Sequence, residues 1–281
     1  MFKDIMAPYI TPLQPIPTSV KQTINLKSSV RAILFDVYGT LFISASGDIC
    51  IAHKNSHAAS KVQALLEKYK ISISSLQLHN LLFKAIESDH ASKKNKGIDF
   101  PEILIEKIWM QVFQTVDIMT ARRFAVEYEM IVNPVYPMPR LDETLRALNN
   151  KNIFLGIISN AQFFTPYLFD LFCSAFPESL GFDSDLIFYS YESGYAKPSL
   201  FLFERAAERL TRKGLSPIDV LYVGNDMLND IFPARTVGFQ TCLFAGDQRS
   251  LRLREEEPKC ESIKPDAIIK ELNHLTNMIR S

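Results

Sequence analysis

Four stretches of the sequence carry residues able to do chemistry. The apolar run Val30-Arg31-Ala32-Ile33-Leu34-Phe35 stops on a carboxylate, Asp36, and the turn Tyr38-Gly39-Thr40 follows. A second apolar run ends on Ser159-Asn160. Lys197 stands beside Pro198, and "VLYVG" runs into Asn225-Asp226, with Asp230 one helical turn further on. Carboxylates, a lysine and a hydroxyl suit a hard cation, which takes oxygen ligands and keeps some of its water. They suit a phosphoryl group equally. Lys197 and a cation would neutralise its oxygens while a carboxylate attacks it.

Such residues work only if the chain gathers them. After Pro139 the pattern predicts alternating elements: a helix over 141–149, a strand over 153–158, a helical stretch, and a strand over 186–189. A helix over 199–213, a strand over 220–223, a helix over 230–237 and the strand 240–244 continue it, and 268–279 reads as a closing helix. Alternation of this kind means a parallel sheet covered on both faces. In open α/β sheets the ligand sits at the carboxyl ends of the strands, which is where Asp36, Ser159, Asn160 and Asp226 fall. Residues 55–132 differ. Val62, Leu65, Leu66 and Tyr69, then Leu78, Leu81, Leu82 and Ala85, then Ile103, Ile105, Ile108, Trp109 and Val112 recur at helical spacing, and 121–130 adds a fourth helical stretch. Ser74 and Asp99-Phe100-Pro101 are predicted helix starts. The expected organisation is an arm (1–28), an α/β core with a Rossmann-like parallel sheet (29–43 and 136–281), and an all-helical insert (44–135).

Composition narrows the function classes. The chain has 281 residues, 47% of them hydrophobic, enough for a sizeable core. Lys+Arg and Asp+Glu are both 31, so no net field favours nucleic acid or an anionic membrane. No apolar run approaches the ~18 residues a membrane span needs. Cys50, Cys173, Cys242 and Cys260 form no C-x-x-C pair and read as thiols of a reducing compartment. The expectation is a cytoplasmic protein.

Asp36-Val37-Tyr38-Gly39-Thr40, Ser159-Asn160, Lys197-Pro198 and Gly224-Asn225-Asp226 through Asp230, in that order, resemble the motifs of the haloacid dehalogenase-like hydrolase superfamily. The helical insert resembles that superfamily's cap, and "SGYAKPSLFLFERA" its third-motif helix; the resemblance covers about residues 30–280. It implies Asp36 as nucleophile and metal ligand, and the Tyr38 backbone carbonyl as a further ligand. It implies Ser159 and the Asn160 backbone on the transferring group, with Lys197 holding Asp36 and the bound anion. Asp226 and Asp230 would anchor Mg²⁺, directly or through water.

Two positions depart from the superfamily's phosphatases. Tyr38 stands where they carry an acid/base aspartate, as in its dehalogenases, whose halide leaves without a proton. Asn225 fills the slot of the first Asp of a "GD" pair, with Asp226 next to it. Weighing the acidic motif more heavily, the expected activity is a Mg²⁺-dependent phosphatase acting on a small phosphate ester through an aspartyl-phosphate. The alternatives are a metal-independent 2-haloacid dehalogenase and a non-catalytic ligand- or protein-binding relative. Taken singly, each residue has a plainer reading. Asp36 would be a turn former, Lys197 a solvated lysine, Asp230 a response to the helix dipole, Trp109 cap core, and His53 with His57 an exposed helix face.

Overall fold

The computed structural model describes residues 2–45, 56–114 and 116–279. Its strands are β1 (Thr23–Ile24), β2 (Ala32–Phe35), β3 (Phe42–Ser44), β4 (Val135–Pro137), β5 (Phe154–Ser159), β6 (Phe182–Tyr189), β7 (Val220–Gly224), β8 (Gln240–Phe244) and β9 (Ala267–Ile269). The main sheet has the order β1-β9-β8-β7-β2-β5-β6. It is parallel throughout except where β1 pairs antiparallel with β9. β2 lies at its centre, in register with β5 on one side and β7 on the other. Every residue of β2 is buried, as expected of a strand covered on both faces. Side chains alternate: Ile33 and Phe35 enter one core cluster, Ala32 and Leu34 the other. Helix α9 (Phe201–Arg212) covers the second face with Leu202, Phe203, Ala206 and Leu210. The fold is therefore α/β, a Rossmann-like sheet with surrounding helices.

Between β3 and β4 the described residues build four helices, α2 (Ser56–Lys68), α3 (Ser75–Lys94), α4 (Ile105–Phe113) and α5 (Ile118–Val132). Ser74 caps α3 with a reciprocal box: its hydroxyl accepts from the Gln77 amide while Gln77 accepts from the Ser74 amide. Trp109 is fully buried, with ring centroids of Phe124 and Tyr128 at 4.8 and 4.9 Å, so it serves this unit's core. The stem is a two-strand pairing of β3 with β4. No helix among the described residues is long and apolar enough to cross a membrane.

Two segments differ from expectation, and the arm proves to be packed on the body. Asp99-Phe100-Pro101 starts no helix. Residues 99–104 run extended to the core: Pro101 bridges Tyr195, the Glu102 amide donates to Gly194 O at 2.9 Å, and the Ala196 amide to Phe100 O at 2.8 Å. The local capping signal lost to a strap that satisfies backbone groups of both units. The expected closing helix 268–279 is strand β9 followed by a short helix, α11 (His274–Met278), because β8 offers an open edge that Ala267–Ile269 completes. The arm is bound along much of its length. Helix α1 (Phe2–Met6) buries Phe2 and Met6, with Phe2 edge-on to Phe163 and Tyr167. Tyr9 donates to buried Glu127 on α5, which also accepts from Lys68 and from Tyr69 at 2.7 Å. Ile16 then pairs with 247–248 before β1 joins the sheet.

Candidate active site

Strand ends bring the expected residues together. Asp36 follows β2, Ser159 ends β5, and Asn225 and Asp226 follow β7. Close approach is built in at Gly39 (φ +83°). A Cβ there would lie 2.6 Å from Ser250 Cβ and 2.7 Å from Asn225 Nδ2, so only glycine lets the turn fold under the loop that follows β8.

Lys197 is the hub. Its Nζ lies 2.8 Å from Asp36 Oδ1 and 2.5 Å from Asp230 Oδ1, with all three side chains largely buried. Ser159 Oγ donates to the same Asp36 oxygen at 2.8 Å. Asp36 Oδ2 takes no hydrogen bond from the described residues, and Asp36 lines a cavity of about 530 Å³. Two of the four expected motifs thus converge on Oδ1 and leave Oδ2 for a partner from outside. Desolvation works against the ammonium, but Asp230 and Asp36 more than offset it and hold its pKa above the ordinary lysine value. The Asn160 side chain braces Lys197, while Asn160 also lines the cavity with Asp36. Its Oδ1 accepts from the Lys197 amide at 2.7 Å, and its Nδ2 donates to the Lys197 carbonyl at 3.2 Å.

Asp230 is closed off. Its Oδ1 accepts from Lys197 and from Tyr222 Oη at 3.0 Å, and its Oδ2 from the amides of Asn225 and Asp226 at 3.0 and 2.9 Å. Burial, opposed by Lys197 and aided by the charges of Asp36 and Asp226, pushes its carboxyl up to about 7. Tyr38 turns its hydroxyl to Thr165 Oγ1 at 2.9 Å, and burial, with Glu129 nearby, pushes its pKa far up. The phenol therefore stays protonated at neutral pH and is a weak acid.

The acidic pair behaves unlike a cation site. Asp226 accepts from the amides of Leu228 and Asn229 at 2.8 and 3.2 Å, from Asn229 Nδ2 at 3.2 Å, and from Arg254 Nε and Nη2 at 3.1 and 2.6 Å. Those donors saturate a carboxylate that offers about four lone-pair sites. Asn225, neutral, accepts from Thr40 Oγ1 at 3.0 Å and donates to Ser250 O at 2.7 Å. Among the described residues no group of three or more His, Cys, Asp or Glu is placed to hold a metal. The donor set expected for Mg²⁺, namely Asp36, the Tyr38 carbonyl, Asp226 and Asp230, does not fit a divalent ion as it stands, since Asp36 Oδ2 is the carboxylate oxygen left open. Of the histidine pair, His53 lies outside the described residues and His57 sits in the first turn of α2.

Sequence reasoning missed Thr165, Tyr222, Glu129, Ser250 and Arg254. Tyr222 carried a signal, being the polar tip in "VLYVG". The others sit on a helix face or in an aperiodic loop and carry none. Glu129, on α5, lines the cavity with Asp36 and Tyr38. Its Oε1 accepts from Asn133 Nδ2 at 3.0 Å, no cation among the described residues pairs with it, and burial raises its pKa.

The fold is shared with proteins of known structure. The chain is similar in fold to a 2-haloacid dehalogenase from Pseudomonas syringae pv. Tomato DC3000 (19% identity, TM-score 0.55, covering 89% of this chain and 97% of that one). The putative HAD-hydrolase YfnB from Bacillus subtilis, bound to magnesium, gives 19% and 0.52, covering 90% and 99%. A HAD phosphatase from Thermococcus onnurineus gives 17% and 0.50, covering 89% and 97%. No curated protein matches. The family model for haloacid dehalogenase-like hydrolases matches residues 30–238, the span that holds every residue of the Asp36–Lys197–Asp230 network, and the chain belongs to that family.

Proposed function

We propose that the protein is a covalent hydrolase that needs no metal ion, with Asp36 as nucleophile on a small substrate whose leaving group departs unprotonated. The observation that carries this reading is Tyr38: the position two residues after the nucleophile holds a hydroxyl bound to Thr165 with a strongly raised pKa. A leaving group that needs a proton would find only a weak acid there. A halide needs none, and the Pseudomonas structure of similar fold is named a 2-haloacid dehalogenase.

In the first step Asp36 Oδ2 attacks the carbon that bears the halogen. A C–O bond forms, the carbon–halogen bond breaks, and the halide leaves with the electron pair. Lys197 and Ser159 hold Oδ1 and so fix the attacking lone pair. In the second step water adds to the carboxyl carbon of the Asp36 ester. Glu129 takes one proton from that water and hands it to the alkoxide oxygen as the acyl C–O bond breaks, so the alcohol departs; the water's second proton, left on the Asp36 carboxyl, goes to solvent and Asp36 is restored. The net change is one water consumed, with halide, alcohol and one proton released. Glu129 suits the base role because its pKa is raised and no cation among the described residues pairs with it.

A Mg²⁺-dependent phosphatase is the second reading. It is favoured by Asp226 and Asn229 lining the same cavity as Asp36. One experiment separates the two: halide release from short 2-haloacids and phosphate release from small esters, each with added Mg²⁺ and with chelator. Halide release indifferent to chelator supports the first reading. Phosphate release that appears only with Mg²⁺ overturns it. Asp36→Asn removes either activity, and single turnover in ¹⁸O-water places label in the Asp36 carboxylate.

A further inference from the structure

We propose that Arg254 is this site's built-in cation: its guanidinium holds Asp226 in place of a divalent ion and thereby keeps the site metal-free. The proposal rests on the metal-free reading above.

The pairing is a fork. Nε and Nη2 reach the two different oxygens of Asp226 at 3.1 and 2.6 Å, a planar match that a point charge does not make. Asp226 is only 9% exposed in its side chain, so little water competes for it. Asp226 also accepts the amides of Leu228 and Asn229, which fixes its carboxylate at the start of the turn that carries Asp230. A divalent ion would have to displace the guanidinium and meet its positive charge.

The loop that delivers Arg254 is built for the position. The Arg252 amide donates to Asn225 O at 3.0 Å and the Met227 amide to Arg252 O at 2.9 Å, so residue 252 is zipped along the Asn225–Met227 segment. Ser250 O takes the Asn225 side chain. Further back, the Gln248 amide donates to Ile16 O at 2.9 Å, and Asp247 accepts from the Ile16 amide at 3.1 Å. At Arg254 itself the backbone is left-handed (φ +52°), a conformation a non-glycine residue holds only when its surroundings require it. One substitution in the motif and one residue outside it thus agree. Asn225 removes one anionic ligand, and Arg254 neutralises the other.

The same geometry makes a latent cation site. Without the guanidinium, Asp226 becomes an unpaired carboxylate in the cavity that also holds Asp36 Oδ2. Removing a competitor for a ligand raises ion affinity by roughly 10-fold or more. The test is calorimetric titration with MgCl₂, which needs no turnover and so stays separate from the halide assay. Wild type gives no saturable binding up to millimolar Mg²⁺. Arg254→Gln gains binding, Arg254→Gln with Asp226→Asn loses it again, and Arg254→Lys, which keeps the charge, stays without it. Circular dichroism confirms that each variant is folded; where Arg254→Gln is not, Arg254→Met takes its place. Saturable Mg²⁺ binding to wild type as tight as to Arg254→Gln overturns the proposal, and so does a folded Arg254→Gln that gains none.

Discussion

Replacing Lys197 by methionine removes the one cation shared by two buried carboxylates. In the wild type Nζ lies 2.8 Å from Asp36 and 2.5 Å from Asp230, with side-chain exposures of 3%, 10% and 1% for the lysine and the two acids. Breaking a buried pair from one side costs about 3–5 kcal/mol, because the charge left behind has lost its water and its partner. The methionine fills much of the same volume, so the cavity contribution is small. With a urea slope near ~3 kcal/mol/M for a chain of this size, the midpoint falls by about 1–2 M at pH 8. The orphaned Asp230 carboxyl, already raised by burial, escapes part of the penalty by binding a proton, so its folded pKa lies above the unfolded one. A group shifted up favours the fold at low pH and opposes it as the pH rises through the folded value. The gap between wild type and Lys197→Met therefore narrows from pH 8 to pH 5. Adding Asp230→Asn removes one of the two orphaned charges and narrows the gap at pH 8. Urea titrations at the two pH values check this. A gap below about 1 kcal/mol at pH 8, where exposed pairs fall, or a gap unchanged at pH 5, would refute the assignment of Lys197 as a buried hub.

Glu129→Gln should slow turnover by about 10²–10⁴-fold while leaving the first step intact, so a covalent adduct on Asp36 accumulates and is read by peptide mass. Tyr38→Phe loses only the bond to Thr165 and should keep wild-type turnover within a few-fold, measured as kcat on the same substrate; a loss as large as that of Glu129→Gln would give the phenol a chemical role. Burial pushes the Glu127 pKa up, but hydrogen bonds from Lys68, Tyr9 and Tyr69 outweigh it and hold the value below that of a free glutamate. A depressed carboxylate stabilises the fold above its unfolded pKa and loses that contribution as the pH falls through the folded value. Glu127→Gln should therefore unfold less steeply in acid below about pH 4.5 than wild type, followed by circular dichroism, although it is the less stable protein at pH 7.

The sheet was legible because short continuous apolar runs such as "VLYVG", bounded by turn residues, need no tertiary knowledge to read. The polar residues closing those runs were legible for the same reason: a carboxylate at the end of a buried strand has few structural uses. What escaped depends on contacts far apart in sequence. Ile268 and Ile269 read by sequence as the start of the closing helix 268–279 and form a strand because β8 leaves an edge free. Asp99-Phe100-Pro101 has a helix-start pattern, yet Asp99 accepts from Ser199 Oγ at 2.9 Å and the segment stays extended. Asp226 reads as a cation ligand until Arg254, 28 positions later, is seen on it. No local pattern encodes that pairing, and it changes what the motif can hold.

The strap over residues 99–104 bears on how a substrate gets in. A cap joined to its core only by the β3–β4 stem would swing on it freely. Here opening along the strap breaks the bonds Glu102 N to Gly194 O, Ala196 N to Phe100 O and Ser199 Oγ to Asp99, together with those from Ser190 and Gln162 to Glu102. At ~1 kcal/mol net each, that is about 5 kcal/mol. An open state at that cost is populated roughly once in several thousand molecules, and a ligand that waits for it arrives slower by the same factor. Glu129, Arg252 and Arg254 line the same cavity as Asp36 and the strap residues Glu102 and Ile103. The cap is thus less a swinging lid than a braced wall, and a substrate that must wait for the strap to part incurs that delay before it meets Asp36.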